Sequence, residues 1–568
     1  MVQQDTDGTY KWAPPSNSYM AKYKRAAITS DHGICSDFGR GILLKGGNAI
    51  DATLASLFCL GATNPQSSGL GGGFIMTIYN STTKRCNIID ARETAPKNSH
   101  QNMFTNNPNA SKYGFLAIAT PGELYGYWLA YTKYGSGNVT WSEIIQPTID
   151  LCKNGVPVSE FLANVLKVKE KQFKTLPYMR NWINNATDRV YIAGDLIKRT
   201  KLARTLERIS RSSDPVELFY RGDMANTIIK EIQANGGILN KEDLMNFKPV
   251  EHDEALINDH FSGSLVMCGP PPPSSFAVSQ LIVSIMAKFY SPESNKDLLY
   301  KSPEFYHRLI EAEKFSYAKR TLLGDELFVK EASALAKNMT TKLYTDWIYA
   351  LISDKAHPSD YYGAMHQAQK EDHGTSHVST LDAQDNAVSA TSTVNRWFGS
   401  STESEELGII WNDEMDDFST PGMINGFGFA PSKTNFIKPG KKPMSSMSPM
   451  VIYDSITGKV KMVIGASGGS KIISAIAKPV IRTLFFNETI KEAIDAPLLH
   501  NQFTPDFTQY ENHVPQELMK ILVSKYNQKF RLTSGFEGIV QAIYVDSNDD
   551  IYVNGDFRRK TDMHPGGY

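Results

Sequence analysis

Gly374 and Thr375 are the first candidates for chemistry, because a chain cut between them would begin with threonine. The pair lies where the polar segment 355–374 meets a strand-dense region. A threonine at a chain start carries its own base: its α-amine, with a reference pKa of about 7.7–8.0, is partly neutral near pH 7. That amine can take the hydroxyl proton and so activate the nucleophile. An ordinary boundary between a loop and a strand explains the same pattern.

The strand after this junction is predicted to form a hairpin. Runs 376–381 and 387–395 alternate with period two around a polar turn. A symmetric turn places Thr375 opposite Thr393, and Asn395 shares the face of Thr393 because it is two residues further on. A hydroxyl and an amide would then lie beside the Thr375 hydroxyl. A slip of one residue would reverse the face, and threonine is also a common strand residue.

A glycine-rich loop, GASGGS at 465–470, follows a predicted strand and precedes a helical pattern at 471–486. Backbone N–H groups in such a loop can approach an anion or a developing oxyanion closely. A second stretch, SSGLGGGF at 67–74, does not fit GxGxxG, and the chain has no GxxxxGK[ST]. Nucleotide binding is therefore weakly supported, and a closely packed turn is the alternative for GASGGS.

Three further segments bring charged or hydroxyl groups together. NDEMDDFS at 412–419 includes Glu414 and Asp417, which could bind an ammonium group but also fit a solvated acidic turn. Arg92, in the segment DARE, could clamp a carboxylate through two hydrogen bonds or form a structural salt bridge. Ser445 and Ser446, in KKPMSSMS, offer adjacent hydroxyls or belong to a polar turn.

The composition excludes several classes of protein. The 568 residues carry 59 basic and 60 acidic side chains, a net charge of −1, so no basic excess is available to bind nucleic acid. The 12 histidines form no HExxH or HxH pattern, and neither a metal nor a cofactor is expected. No apolar run reaches about 18 residues, and the N-terminus lacks the apolar core of a signal peptide. Either the protein is cytosolic or a targeting segment has been removed.

The elements that must position these groups fall in two parts. Residues 1–25 are predicted to be an irregular, solvated arm, and two helices follow at 36–45 and 48–60. The chain is helix-rich up to about residue 350 and strand-dense from Thr375. This order predicts α+β layers rather than a repeating βαβ fold.

The cysteines and glycosylation motifs bear on the compartment. The five cysteines include no CxxC pair, and an odd number leaves at least one thiol free. Sequons of the type Asn-x-Ser/Thr are weak evidence for secretion. They occur at Asn80, Asn109, Asn138, Asn185, Asn338 and Asn487.

Taken together and in order, these segments resemble the gamma-glutamyltransferase family of Ntn-hydrolases. The matching segments are GGNAIDATLASLFCLGATNPQSSGLGGGF, DARETAP, GTSHVST, ATSTVNRWFGS, NDEMDDFSTPG, KPMSSMSP and GASGGS. The resemblance extends from about Ala26 to Tyr568. It implies a four-layer αββα sandwich made as one precursor, which cleaves itself before Thr375 into a large subunit, residues 26–374 after the arm, and a small catalytic subunit, residues 375–568.

The resemblance also implies an activity. Thr375 would attack the γ-glutamyl amide of glutathione and its conjugates, and the acyl-enzyme would pass to water, an amino acid or a dipeptide. Thr393 would hydrogen-bond the nucleophile, and Gly468 and Gly469 would form the oxyanion hole. The remaining matching positions would hold the zwitterionic head of the donor: Arg92, Ser445 and Ser446 its α-carboxylate, and Asn395, Glu414 and Asp417 its α-ammonium.

Several details are similar to the animal-type branch of that family. Glu414 stands where bacterial members usually have glutamine, and the segment between Asp417 and Pro443 is short for the bacterial lid. Cys35 and Cys59 resemble the branch's disulfide. Animal members are extracellular and tethered by an N-terminal anchor, so an extracellular protein with its anchor outside this sequence is expected.

Two positions depart from the family pattern, and two other functions stay open. Trp397 occupies a position where tyrosine is expected, which bears on the acceptor side, and Pro479 is predicted to kink the helix after GASGGS. The alternatives are a non-catalytic or venom-type relative that binds partners, and an Ntn acylase with a non-glutamyl donor.

Overall fold

A computed structural model describes residues 10, 12–290, 301–363, 367–368, 374–423, 430–533, 535 and 538–568. The helices are α1 Gly33–Leu44, α2 Ala49–Thr63, α3 Glu123–Tyr134, α4 Trp141–Asn154, α5 Glu160–Thr175, α6 Thr200–Arg211, α7 Asp223–Ala234, α8 Lys241–Asn246, α9 Phe276–Phe289, α10 Pro303–Arg320, α11 Lys330–Met339, α12 Lys342–Leu351, α13 Lys471–Phe486, α14 Ile490–Asp495 and α15 Gln516–Ser524.

The strands are β1 Met20–Tyr23, β2 Ala27–Ser30, β3 Gly73–Asn80, β4 Arg85–Asp90, β5 Val156–Pro157, β6 Ile183–Asn184, β7 Arg189–Val190, β8 Leu196–Ile197, β9 Val250–His252, β10 Leu256–Ser262, β11 Leu265–Gly269, β12 Gln367–Ala368, β13 Gly374–Leu381, β14 Ala387–Asn395, β15 Ala430–Pro431, β16 Met450–Asp454, β17 Val460–Ser467, β18 Leu499–His500, β19 Thr508–Tyr510, β20 Phe530–Leu532, β21 Ile539–Val545, β22 Ile551–Gly555 and β23 Gly566–Gly567.

Two seven-stranded antiparallel sheets form the centre of the molecule. Sheet I has the order β1-β22-β21-β17-β16-β11-β10, and sheet II has the order β23-β2-β13-β14-β3-β4-β9. Each sheet combines strands from before and after Thr375. The strands of the two predicted subunits are therefore interleaved rather than separated into two domains.

Three apolar layers hold this arrangement together. Between the sheets, Tyr79 and Leu381 of sheet II belong to one buried cluster with Val451, Val463 and Ile543 of sheet I. A second cluster joins the other face of sheet II to α1–α4, and a third joins the other face of sheet I to α9, α10 and α13. Because each sheet is buried on both faces, the order of layers is helix, sheet, sheet, helix, and the predicted αββα sandwich is confirmed.

The predicted elements around Thr375 are also confirmed. In the hairpin β13–β14, Thr375 pairs with Thr393, as a symmetric turn requires, and a register shift follows Gly374. The helices predicted at 36–45 and 48–60 are α1 and α2. The second begins at a capping box, in which Asn48 and Asp51 each bond the other's backbone N–H.

The structure differs from the sequence predictions in two places. The arm 1–25 is not irregular throughout, because β1 adds an edge strand to sheet I, pairing Met20–Tyr23 with Ile551–Asn554. The loop predicted at 465–470 is shorter, since β17 continues to Ser467. A four-residue edge strand leaves little local signal. Pro479 lies inside α13, and the kink at this residue stays a prediction.

Two disulfides are present. Cys35–Cys59 confirms the predicted pair and links α1 to α2. Cys86–Cys268 was not predicted, and it joins β4 of sheet II to β11 of sheet I. Cys152 is free and buried, as the odd number of cysteines requires.

The exposure of the sequons and the composition of the helices bear on the compartment. All six sequon asparagines are exposed. Within the described residues, no helix has both the length and the apolar composition needed to cross a bilayer.

Candidate active site

The Thr375 and Thr393 hydroxyls lie together at the start of the hairpin, both on buried side chains. Their Oγ1 atoms are 3.5 Å apart. Thr393 Oγ1 accepts a hydrogen bond from the Asn395 N–H at 2.8 Å and donates one to the Gly374 carbonyl at 2.6 Å. The single Thr393 proton is thus directed at the carbonyl that precedes Thr375, where it polarises the peptide bond between Gly374 and Thr375.

Gly374 fits this arrangement because it has no side chain. A Cβ atom there would lie 2.6 Å from the backbone carbon of Arg396, which is a forbidden contact with main chain. The small residue lets β13 begin directly against the end of β14. The carbonyl of Gly374 therefore reaches the Thr393 hydroxyl.

His377, two residues after Thr375, does not serve as its base. The ring is fully buried between Thr391 Oγ1 at 2.8 Å and Ser379 Oγ at 3.0 Å. Burial lowers the pKa of His377 to about 3, so the ring is neutral and structural. This leaves the role of base to the α-amine that cleavage would free.

Arg559, which was missed by the sequence analysis, contacts β13, the strand of Thr375, from the C-terminal segment. Its Nη2 donates to the Thr375 carbonyl at 3.0 Å and pairs with Asp31 Oδ2 at 2.6 Å. Asp31 also accepts from Ser467 Oγ at 3.2 Å, just before Gly468. The buried pair therefore connects Thr375 to the start of the glycine loop. No local pattern marks it, since its two residues lie near opposite ends of the chain.

Gly468 and Gly469 form the turn between β17 and α13. Both have positive φ angles, +119° and +61°, a region that favours glycine. No described backbone carbonyl accepts a hydrogen bond from either N–H group. The turn therefore offers two donors without Cβ atoms in the way, which is what an oxyanion site requires.

Arg92 is completely buried and lies between two carboxylates. Its Nη1 is 2.5 Å from Glu414 Oε1, and its Nη2 is 2.5 Å from Asp417 Oδ2. The same side chain donates to the backbone carbonyls of Pro443 at 2.8 Å and Met444 at 3.0 Å. The sequence analysis placed Arg92 and the carboxylates at opposite ends of a ligand, whereas here they contact one another. Buried charges without a ligand are stabilised by pairing directly.

Glu93 adds a further carboxyl group to this cluster. Burial raises the pKa of Glu93 to about 7, and burial also raises the pKa of Glu414 well above its usual range, against the effect of Arg92. The two groups interact, so they titrate as a pair. Arg92 alone does not neutralise Glu93, Glu414 and Asp417. An added cation, such as an ammonium group, would relieve this excess of negative charge.

Ser445 and Ser446 lie on the same loop as the carbonyls that hold Arg92, and both are buried. Ser445 Oγ accepts from the Met447 N–H at 3.1 Å. Ser446 Oγ accepts from Arg320 Nη2 at 3.0 Å. Neither hydroxyl donates to another described residue, so both protons are available to an anionic ligand.

Asn395 and Trp397 continue from the end of β14. Asn395 Nδ2 donates to the Asp413 carbonyl at 2.9 Å, while its buried Oδ1 accepts from no described residue. Trp397 is half-buried, with its ring edge-on to Phe161 at 6.1 Å between centroids. Arg559 lies over the other aromatic ring of this pair, 4.5 Å from the Phe161 centroid. The rings of Trp397 and Phe161 thus form an aromatic surface beside the strand that carries Thr375.

The four-layer sandwich and its buried threonine pair define an Ntn-hydrolase fold. A cephalosporin acylase from Bacillus halodurans shares this fold, with a TM-score of 0.81, 21% identity and coverage of 100% of this chain and 99% of that one. The profile described as Gamma-glutamyltranspeptidase matches residues 35–565. The chain therefore belongs to the gamma-glutamyltranspeptidase family.

Curated relatives resemble this protein over most of its length. Scoloptoxin SSD14 from Scolopendra dehaani is 37% identical, over 96% of this chain and 93% of its own. Glutathione hydrolase proenzyme 1 from Schizosaccharomyces pombe is 35% identical, over 89% of this chain and 79% of its own. At the level of the family, these relationships support a γ-glutamyl hydrolase or transpeptidase.

Proposed function

We propose that this protein cleaves itself before Thr375 and then hydrolyses and transfers γ-glutamyl groups, with glutathione and its conjugates as donors. The observation that carries the proposal is the hydrogen bond from Thr393 Oγ1 to the Gly374 carbonyl, with Thr375 Oγ1 3.5 Å from Thr393 Oγ1. Attack of the Thr375 hydroxyl on that carbonyl converts the amide to an ester. The same step frees the Thr375 amine, and water then hydrolyses the ester to release the Thr375 hydroxyl and the carboxylate of Gly374.

The freed amine acts as the base in turnover. It takes the Thr375 hydroxyl proton as Oγ1 bonds to the donor's γ-carbonyl carbon, and it returns the proton to the departing amine. The N–H groups of Gly468 and Gly469 stabilise the oxyanion. Water, an amino acid or a dipeptide then attacks the resulting ester and releases Thr375.

The charge arrangement around Arg92 supports a zwitterionic donor head. The α-carboxylate binds Arg92 and the two serine hydroxyls, and the α-ammonium binds Asn395, Glu414 and Asp417. The ligand's ammonium compensates the excess carboxylates, and its carboxylate accepts the two uncommitted serine protons. A donor lacking either group would leave buried polar atoms unpaired, which gives the site its selectivity.

A toxin that binds without catalysis is the second candidate, because Scoloptoxin SSD14 is 37% identical. We also place the protein in an extracellular compartment, on the support of two disulfides and six exposed sequons.

The release of p-nitroaniline from L-γ-glutamyl-p-nitroanilide tests the proposal. We expect wild type to turn over this donor, with faster release when glycylglycine is added, and Thr375→Ala to have no activity. Thr393→Ala should slow self-cleavage by about a hundredfold, as expected for losing a catalytic donor, while Thr393→Ser keeps most of the rate. A wild-type protein that is cut but inactive on the anilide would favour the binding role.

A further inference from the structure

The loop that carries Ser445 and Ser446 is fixed to the turn after the proline run 270–273. The Ser445 N–H donates to the Pro273 carbonyl at 2.8 Å, and the Ser275 N–H donates to the Met447 carbonyl at 3.0 Å. Ser275 Oγ also donates to the Ser445 carbonyl at 2.6 Å. The turn therefore fixes the position of the loop backbone that carries both serine hydroxyls.

Arg320, the last residue of α10, joins this turn to the loop. Its Nε donates to Ser275 Oγ at 3.0 Å, and its Nη2 donates to Ser446 Oγ at 3.0 Å. Only 7% of the residue is exposed. One rigid guanidinium thus reaches Ser446 directly and Ser445 through Ser275.

This contact determines what the Ser446 hydroxyl can do. A serine hydroxyl has one proton to donate, and a guanidinium has no lone pair to accept it. Ser446 must therefore direct its proton away from Arg320, and no other described residue accepts it. The bond from a charged donor also polarises the O–H group, which strengthens it as a donor to an anion.

The contacts that Arg92 already makes within the protein explain why Arg320 matters for binding the donor's carboxylate. Arg92 already contacts two carboxylates and two backbone carbonyls, so much of its hydrogen-bonding capacity is used within the protein. An incoming carboxylate depends correspondingly more on the serine hydroxyls. Their orientation then affects the affinity for the donor.

We propose that Arg320 is a positioning residue for the donor's α-carboxylate, acting by holding Ser446 as an obligate hydrogen-bond donor and by fixing the backbone of Ser445 through Ser275. This inference rests on the proposed γ-glutamyl donor. It assigns the role to a residue on α10, 126 positions from the serine that it orients. Arg320 itself need not contact the ligand.

Competitive inhibition constants for L-glutamate and 4-aminobutyrate provide the test, because the second compound keeps the amine and lacks the α-carboxylate. In Arg320→Gln we expect the constant for glutamate to rise about tenfold, the effect of weakening one hydrogen bond to a charged group. The constant for 4-aminobutyrate should change less than about twofold. In the same variant, KM for the glutamyl anilide should rise with little change in kcat.

Two further variants separate positioning from general stability. Arg482→Gln is the matched control, since Arg482 is also 7% exposed but bonds Glu488 and Tyr306. It should leave the ratio of the two inhibition constants unchanged. Ser275→Ala is the milder variant should Arg320→Gln fail to fold, and it should shift the ratio in the same direction.

The double variant Arg320→Gln with Ser446→Ala shows whether the arginine acts through the serine. We expect less than about a twofold further loss beyond Ser446→Ala alone, because the two changes remove one interaction. Multiplicative losses, or equal losses for glutamate and 4-aminobutyrate, would overturn the inference. Wild-type inactivity towards the anilide would instead overturn the proposed function.

Discussion

At the scale of single residues, the position of one proton decides much of the chemistry. The Thr393 hydroxyl accepts from the Asn395 N–H and donates to the Gly374 carbonyl, which is the arrangement that the proposed self-cleavage needs. After cleavage the Gly374 carbonyl would no longer be attached to Thr375. The Thr393 hydroxyl would then be free to hydrogen-bond Thr375. One side chain could therefore serve both the cut and the subsequent turnover.

Glu93 gives the donor site a pH dependence. Burial raises the pKa of Glu93 to about 7, so the group loses its proton as the pH rises through that value. A negative charge on Glu93, in the cluster that Glu414 and Asp417 share with Arg92, strengthens binding of the donor's ammonium. We therefore expect KM for the glutamyl anilide to fall several-fold between about pH 6 and pH 8, measured by initial rates.

Glu93→Gln is the control for this effect. The amide cannot ionise, so KM in this variant should be nearly flat over the same range. The profile of kcat, which reports the Thr375 amine, should be similar in both proteins. An unchanged slope of KM in the variant would show that another group titrates.

The candidate site could be predicted from sequence where its residues lie in short ordered segments. The hairpin follows from alternation around a polar turn, and its symmetry gave the pairing of Thr375 with Thr393. The roles of Arg320 and Arg559 could not be predicted, because their partners lie far away in the sequence. The direct contact of Arg92 with Glu414 was also missed, because the two segments that carry these residues lie far apart in the sequence.

At the scale of elements, the two sheets are linked by a disulfide that the sequence analysis did not predict. Cys86 of β4 and Cys268 of β11 are 182 residues apart, and their disulfide crosses the interface between the two sheets. Closing so long a loop restricts the unfolded chain strongly. The bond lies within residues 26–374, so it does not join the two predicted subunits.

Replacing both cysteines with alanine should lower the free energy of unfolding by about 2–4 kcal/mol. Denaturant titration of the isolated protein measures the change. The matched control is Cys152→Ala, which removes a buried free thiol and should cost less, about 1 kcal/mol. Equal losses in the two proteins would show that the disulfide contributes nothing beyond packing.

At the scale of the whole molecule, the predicted cut separates the chain without separating the fold. Strands from both sides of Thr375 pair with one another in sheets I and II, and the layer between the sheets includes both parts. The two chains would remain associated through their cores. The net charge of −1 likewise conceals a local arrangement, in which Arg92 contacts Glu414 and Asp417 inside the protein.

The most direct test of this account is the N-terminal sequence of the smaller chain from the mature protein. We predict two chains on a denaturing gel, the smaller beginning Thr375-Ser376-His377, and one intact chain for Thr375→Ala. Mass spectrometry of the smaller chain should give the mass of residues 375–568 with a free amine. A mature, active wild-type protein that remains a single chain, or one cut elsewhere, would contradict the account.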